Sequence, residues 1–209
     1  MGFYSRQILP YLLDWSMSNK TLGRYRREVL ASVQGDVLEI GFGTGLNLSY
    51  YPDHLEKLVA IDANPGVSRL AQKRIDTASI TVDHRVLNGE HLPMPDASFD
   101  TVVSTWTLCS IADVDQALQE IYRVLKPDGT FVFIEHGLSA EPHIQVWQNR
   151  LTPIQKVVGD GCHLNRQIRE LVSRYFPQIA VEEFYGENLP KIAGYFYKGV
   201  AQKSTTATV

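Results

Sequence analysis

Four residues of strand composition, Val37-Leu38-Glu39-Ile40, lead into Gly41-Phe42-Gly43-Thr44-Gly45. Alternating glycines let the backbone turn tightly and approach a ligand where a Cβ would collide, and a helix after the loop would add N–H groups for an anion. The pattern is that of a nucleotide-type loop at the end of a strand. A dinucleotide fingerprint needs glycines at the first, third and sixth positions, and the sixth position here is Leu46. A nicotinamide oxidoreductase is disfavoured on that ground.

From residue 36 onward, short apolar runs alternate with helical patterns, as parallel strands joined by crossover helices require. The runs are 37–40, 58–61, 80–86, 101–104 and 130–134. Asn64-Pro65 sets an N-cap residue before a proline, and Val67, Leu70, Ala71 and Ile75 follow near helical spacing. Asp113 with Gln116 resembles a capping box ahead of Val114, Ala117, Leu118, Ile121 and Leu125, and Lys126-Pro127-Asp128-Gly129 predicts a turn where that helix ends. Trp147, Leu151, Ile154 and Val157 keep a helical rhythm that Pro153 is expected to break. Runs at 181–185 and 192–200 predict an antiparallel closing pair, and 204–209 reads as a frayed tail.

The expected fold class is α/β: a doubly wound, mostly parallel sheet with an antiparallel C-terminal strand pair and a small helical cover. A chain of 209 residues suits one domain with one sizeable core. Its expected parts are an N-terminal helical cover at 1–34, a ligand-binding core at 35–136, a second cover at 137–170 and closing strands at 171–200.

Charge and composition narrow the partners. Twenty Lys and Arg against 23 Asp and Glu give a net charge of -3, which argues against a sequence-independent nucleic-acid binder. Cys109 and Cys162 lack both a disulfide framework and CxxC spacing, so the expected setting is reducing and cytoplasmic. No stretch approaches the roughly 20 apolar residues of a membrane span. Residues 3–17 carry Phe3, Tyr4, Ile8, Leu9, Tyr11, Leu12, Leu13 and Trp15; packing on the chain's own domain is the expectation, with weak membrane-surface contact as the alternative. No oligomeric state is specified.

Glu39, Gly41, Gly43 and Gly45 together form Glu-x-Gly-x-Gly-x-Gly, which resembles motif I of the class I S-adenosylmethionine-dependent methyltransferases. The resemblance implies a Rossmann-like fold, S-adenosylmethionine as cofactor, S-adenosylhomocysteine as product and no metal. Asp62 closes Val59-Ala60-Ile61-Asp62, 17 residues beyond Gly45, where these enzymes place a carboxylate for both ribose hydroxyls. Gly89-Glu90-His91-Leu92-Pro93 and Ser98-Phe99-Asp100 resemble the adenine-side motif and the entry to strand four, and Asn88 stands where many members carry Asp. The cofactor contacts so implied come from Glu39, Gly41, Gly43, Gly45, Asp62, Ala63, Asn88, Gly89, Glu90 and Thr105.

The match is similar in finer detail to the methyltransferase-like type 7 branch, the small thiol S-methyltransferases. It is carried by residues 105–111, 123–129, 134–137 and 160–166, within a span of about 25–200. Animal members carry a hydrophobic N-terminal anchor; no segment here reads as one, so membrane residence is not carried over. The branch implies a small-molecule thiol acceptor methylated by direct in-line displacement. A sulfonium methyl is already activated, so alignment and exclusion of water do most of what is needed. A thiol has a pKa near 8.5 and gains from a nearby base, for which His136 and His163 are the candidates.

Other readings stand beside this one. Cys109 and Cys162 read as packed thiols, Trp106 as core or as a wall of the acceptor pocket, and the Arg24, Arg26, Arg27 cluster as a solvated helix face. One of these arginines reaching the cofactor carboxylate is the alternative. A quinone-type ring carbon or a phospholipid amine are alternative acceptors, for which Glu135 and Tyr195 are available. A non-catalytic S-adenosylmethionine-binding module is the alternative from another class.

Overall fold

The computed structural model describes residues 2–204, so all but the first residue of the expected frayed tail lies outside the described residues. The parallel strands are β1 (Val37–Ile40), β2 (Lys57–Asp62), β3 (Thr81–Val86), β4 (Phe99–Thr105) and β5 (Leu125–His136). The closing pair is β6 (Gln178–Tyr185) and β7 (Tyr195–Gln202). They form one seven-stranded sheet in the order β3-β2-β1-β4-β5-β7-β6. β7 runs antiparallel to both β5 and β6, so the last strand of the chain wedges between its hairpin partner and the parallel sheet.

Strand order reverses at β1. The chain moves outward through β2 and β3, then returns to place β4 on the other side of β1. In open α/β sheets this reversal leaves a crevice outside the carboxyl ends of the strands. The glycine loop after β1 and the loop after β4 flank it.

Helices cover both faces because the sheet side chains alternate with period two. On β5, Phe131 and Phe133 join α5 (Val114–Val124) and α7 (Ile168–Ser173) on one face, while Val132 and Ile134 join α3 (Lys20–Leu30) on the other. Asp113 caps α5 by accepting from the Gln116 N–H at 3.0 Å, as its spacing predicts. Asn64 accepts from the Gly66 N–H at 2.8 Å and starts a short 3-10 turn that runs into α4 (Ser68–Ile75).

Ahead of α3, α1 (Phe3–Gln7) and α2 (Leu9–Met17) strap across the crevice. Asp14 on α2 accepts from the Thr44 hydroxyl at 2.6 Å and pairs with Arg74 of α4 at 2.8 Å, tying the strap to the glycine loop. Leu9 and Pro10 are buried, whereas Phe3 and Trp15 are exposed.

One local expectation is refined and two are corrected. The helix expected after Gly45 is a 3-10 helix, Leu46–Tyr50. Pro52 biases the preceding residue toward extended backbone, and Tyr51 is extended at φ -65° and ψ 148°, so the turn cannot continue. Second, α6 (Pro142–Val158) runs through Pro153. An interior proline costs about 3 kcal/mol, and contacts elsewhere on the helix anchor it against that cost. The Gln148 side chain bonds Ser139 N at 2.9 Å and the carbonyls of Gly137 and Ile192 at 3.0 Å each. Third, Leu125 already pairs with Phe99 beyond α5, and Thr130 pairs with Thr101, so the predicted turn is an excursion within β5.

Candidate active site

The carboxyl ends of β1, β2, β4 and β5 and the loop after β3 border a cavity of about 520 Å³. That size is in the range of small-molecule sites. Strands are about 4.8 Å apart, so the floor from Asp62 on β2 across β1 and β4 to His136 on β5 spans about 14 Å. Leu9, Leu13 and Met17 of the N-terminal strap line one side, and Gln155, Gly159 and Cys162 line another. Of the residues singled out by sequence, Gly41, Gly43, Asp62, Ala63, Asn88, Gly89, Glu90, Thr105 and His136 line this cavity. Glu39, Gly45 and His163 do not.

Two glycines serve different ends. Gly41 has φ +76°, and a Cβ there would fall on the Thr107 side chain, so the loop after β4 packs directly against its backbone. Gly43 has φ +56°, and a Cβ there would meet nothing nearer than the Gly41 carbonyl at 4.0 Å. Gly43 thus keeps open a space that a ligand can fill. Its N–H donates to Asp62 Oδ2 at 2.8 Å, and the Asn64 N–H donates to Asp62 Oδ1 at 2.8 Å. Desolvation pushes the Asp62 carboxyl upward and these two N–H groups oppose it.

Glu39 lies behind the loop. Its oxygens accept from Asn47 Nδ2 at 2.8 Å and from the Tyr51 hydroxyl at 2.7 Å. Asn47 also donates to Thr105 Oγ1 at 3.0 Å and accepts from Arg26 Nε at 3.0 Å. Burial pushes Glu39 up to about 7 and brings Arg26 down to about 10. The acid therefore braces Asn47, and Asn47 braces an arginine on the cavity wall.

Arg26 corrects the expectation of a solvated helix face: it is buried on the cavity wall, where the alternative reading had one of the three arginines. Its guanidinium lies 4.7 Å from the Trp106 ring centroid and donates to the Met17 carbonyl at 2.9 Å. A signal existed: Arg26 falls four residues after Leu22 and three before Val29, on the apolar stripe of α3. Trp106 has φ +50°, and its indole Nε1 is buried without a protein partner. At the other end, Asn88 turns onto its neighbour: its Oδ1 accepts from the Glu90 N–H and its Nδ2 donates to Glu90 Oε2, both at 3.1 Å. Glu90 Oε1 accepts from the Asp113 N–H at 3.0 Å, which fixes this loop to the start of α5.

At the β5 end, His136 Nε2 lies 2.9 Å from the Cys162 sulfur, which lies 3.9 Å from the Cys109 sulfur. All three residues line the cavity, so these cysteines are wall residues as well as packed ones. The hydrogen bond to Cys109, and then burial, push the Cys162 thiol far up. His163 points elsewhere: its Nδ1 sits 3.2 Å from the Cys109 carbonyl, which also accepts the His163 backbone N–H at 2.8 Å. His163 tethers a loop. Arg166 holds the same region by donating to the carbonyls of Leu108 and Ile111. Glu135 and Tyr195 do not line the cavity either; Glu135 accepts from Ser104 Oγ and the Thr107 N–H, and the Tyr195 hydroxyl donates to Glu183.

Residues 38–133 match the family described as Methyltransferase domain. The chain is 33% identical over 194 residues to the thiol S-methyltransferase TMT1B of Rattus norvegicus, covering 85% of this chain and 78% of that protein. It is 32% identical over 191 residues to the thiol S-methyltransferase TMT1A of Homo sapiens, covering 83% and 78%. A SAM-dependent methyltransferase of Thermotoga maritima superposes with a TM-score of 0.68 at 19% identity, covering 96% of this chain and 98% of that one.

Fold and site define a class I S-adenosylmethionine-dependent methyltransferase, and the chain belongs to that family. Within it, the similarity extends over most of the chain to proteins named as thiol S-methyltransferases. The cavity fits the cofactor: the open space over Gly43, the Asp62 carboxylate and the Arg26 cation suit an uncharged backbone approach, a ribose and a carboxylate. Among the described residues, no helix is long and apolar enough to cross a membrane.

Proposed function

We propose that this methyltransferase acts on a small thiol, with Asp62 receiving the ribose hydroxyls, Asn88, Gly89 and Glu90 bordering the adenine, and Arg26 and the glycine loop meeting the methionine end. S-adenosylmethionine supplies an activated methyl group when bound. The residues of the chain would hold it along the sheet edge, and the N-terminal strap would exclude water from the cavity. The acceptor would enter beside His136 and Cys162, where its S–H proton would pass to solvent and its sulfur would take the methyl group in line, the old C–S bond breaking toward the sulfur of S-adenosylhomocysteine.

The observation that carries the acceptor assignment is the lining at the β5 end: Cys109, His136, Gln155, Gly159 and Cys162, with one carboxylate nearby, Asp160, already engaged by the Ser5 hydroxyl. An amine acceptor calls for acidic or aromatic groups to hold its cation, and a carbon acceptor for a strong base. Glu135 and Tyr195 lie outside the cavity lining, and the Trp106 ring on its wall already faces the Arg26 guanidinium at 4.7 Å. Similarity to the thiol S-methyltransferases supports the same choice. A reducing compartment such as the cytoplasm suits the two free thiols. The test is mass-spectrometric detection of the S-methyl thioether from a monothiol and S-adenosylmethionine; formation of methylated amine or quinol alone would replace this acceptor with another.

A further inference from the structure

Three soft ligand atoms from distant parts of the chain meet at the β5 end of the cavity. Cys109 follows β4, His136 ends β5 and Cys162 follows α6; their ligand atoms all lie within 4.8 Å of one another. Tetrahedral zinc, with Zn–S of about 2.3 Å and Zn–N of about 2.0–2.1 Å, separates two thiolates by about 3.8 Å and a thiolate from an imidazole nitrogen by about 3.5 Å. The two sulfurs are 3.9 Å apart, already at the spacing of a shared ion. The His136 nitrogen is 2.9 Å from the Cys162 sulfur and within 4.8 Å of the Cys109 sulfur, so its ring would move about half an ångström away from Cys162 and up to about 1.3 Å closer to Cys109 to admit one.

Chemistry and access agree with the geometry. Two thiolates and a neutral imidazole balance a dication, and soft sulfur ligands with imidazole select zinc over magnesium or calcium. Three protein ligands leave a fourth position open, the mark of a site that handles substrate. Because all three residues line the cavity, both the ion and a ligand in its fourth position have a route in.

We propose that Cys109, His136 and Cys162 bind Zn²⁺ and that its fourth position takes the sulfur of the methyl acceptor. The role toward the acceptor presumes the thiol substrate proposed above, and it departs from the expectation of a metal-free site. On coordination the acceptor S–H gives its proton to solvent. A lone pair on the coordinated sulfur attacks the sulfonium methyl carbon, the old C–S bond breaks with its electrons passing to the sulfur of S-adenosylhomocysteine, and the neutral thioether, a weak ligand, leaves the ion.

The test uses the whole chain, stripped with a chelator that is then removed, with Zn²⁺ or Co²⁺ alone as probe. One equivalent should bind, and the Co²⁺ form should show thiolate-to-cobalt charge-transfer bands in the near ultraviolet. Both should be lost in Cys162→Ser and His136→Ala chains whose far-ultraviolet circular dichroism and S-adenosylmethionine binding match the parent. Absence of the bands in the parent, or their persistence in both variants, overturns the site. Turnover of a monothiol should fall about tenfold or more in the stripped chain and return with Zn²⁺. Undiminished thiol turnover without metal overturns the role of the ion and leaves the thiol acceptor standing. Cobalt bands without thiol turnover in either form uphold the ion site and contradict the thiol acceptor.

Discussion

His136 Nε2 lies 2.9 Å from the Cys162 sulfur, so the last parallel strand and the loop after α6 meet at one point on the cavity wall. His163, one residue further on, faces the Cys109 carbonyl instead. The two histidines should therefore separate in kinetics. His136→Ala should lower kcat by about tenfold or more while S-adenosylmethionine affinity stays within about twofold. His163→Ala should remain within about threefold of the parent. Steady-state kinetics with calorimetry checks both, and equal losses in the two variants would contradict the separate placements.

Asp62 is oriented by two backbone N–H groups before any ligand arrives. Asp62→Ala should weaken S-adenosylmethionine by about 1.5–3 kcal/mol, the scale of hydrogen bonds to a charged group. Titration calorimetry measures it, with circular dichroism as the check on folding. Unchanged affinity would remove Asp62 from the ribose.

Gly43→Ala places a methyl group in the open space over the loop at a positive φ. The strained backbone should cost about 1–2 kcal/mol of stability, a modest drop in Tm, while cofactor binding is lost because the methyl occupies ligand space. Normal binding by a folded variant would show that the cofactor does not approach this backbone.

Glu39 couples the site to pH. Burial raises its pKa from the ordinary 4.5 to about 7. A raised acid binds its proton more tightly in the folded than in the unfolded chain, so its contribution is full below about pH 4.5 and is lost as pH rises through about 7. Glu39→Gln has no such titration. The stability of the parent relative to this variant should fall by the order of 2–3 kcal/mol between about pH 5 and about pH 8. Urea unfolding at both values tests this, and a constant difference would contradict a carboxyl held near neutrality.

What the sequence made legible was local. Val37–Ile40, the glycines after it and the Asp113 cap are set by strand composition, backbone freedom and spacing, all of which act over a few residues, whereas Asp62 was legible through the family resemblance. Pro153 misled because its helix is held by Gln148 contacts to Gly137 and Ile192, which no local pattern encodes. Glu39 was legible as a motif residue but its place was not, since only Asn47 and Tyr51 show that it braces the loop from behind. Cys109, His136 and Cys162 come together only when β4, β5 and the end of α6 are assembled.

The central claim is methyl transfer to a thiol at the β5 end of the cavity, and release of S-adenosylhomocysteine with and without a small monothiol tests it most directly. Amines, phospholipids and quinols serve as parallel acceptors. The account predicts thiol-dependent release that falls in His136→Ala at unchanged cofactor affinity. Release driven by another acceptor and indifferent to the thiol would contradict it.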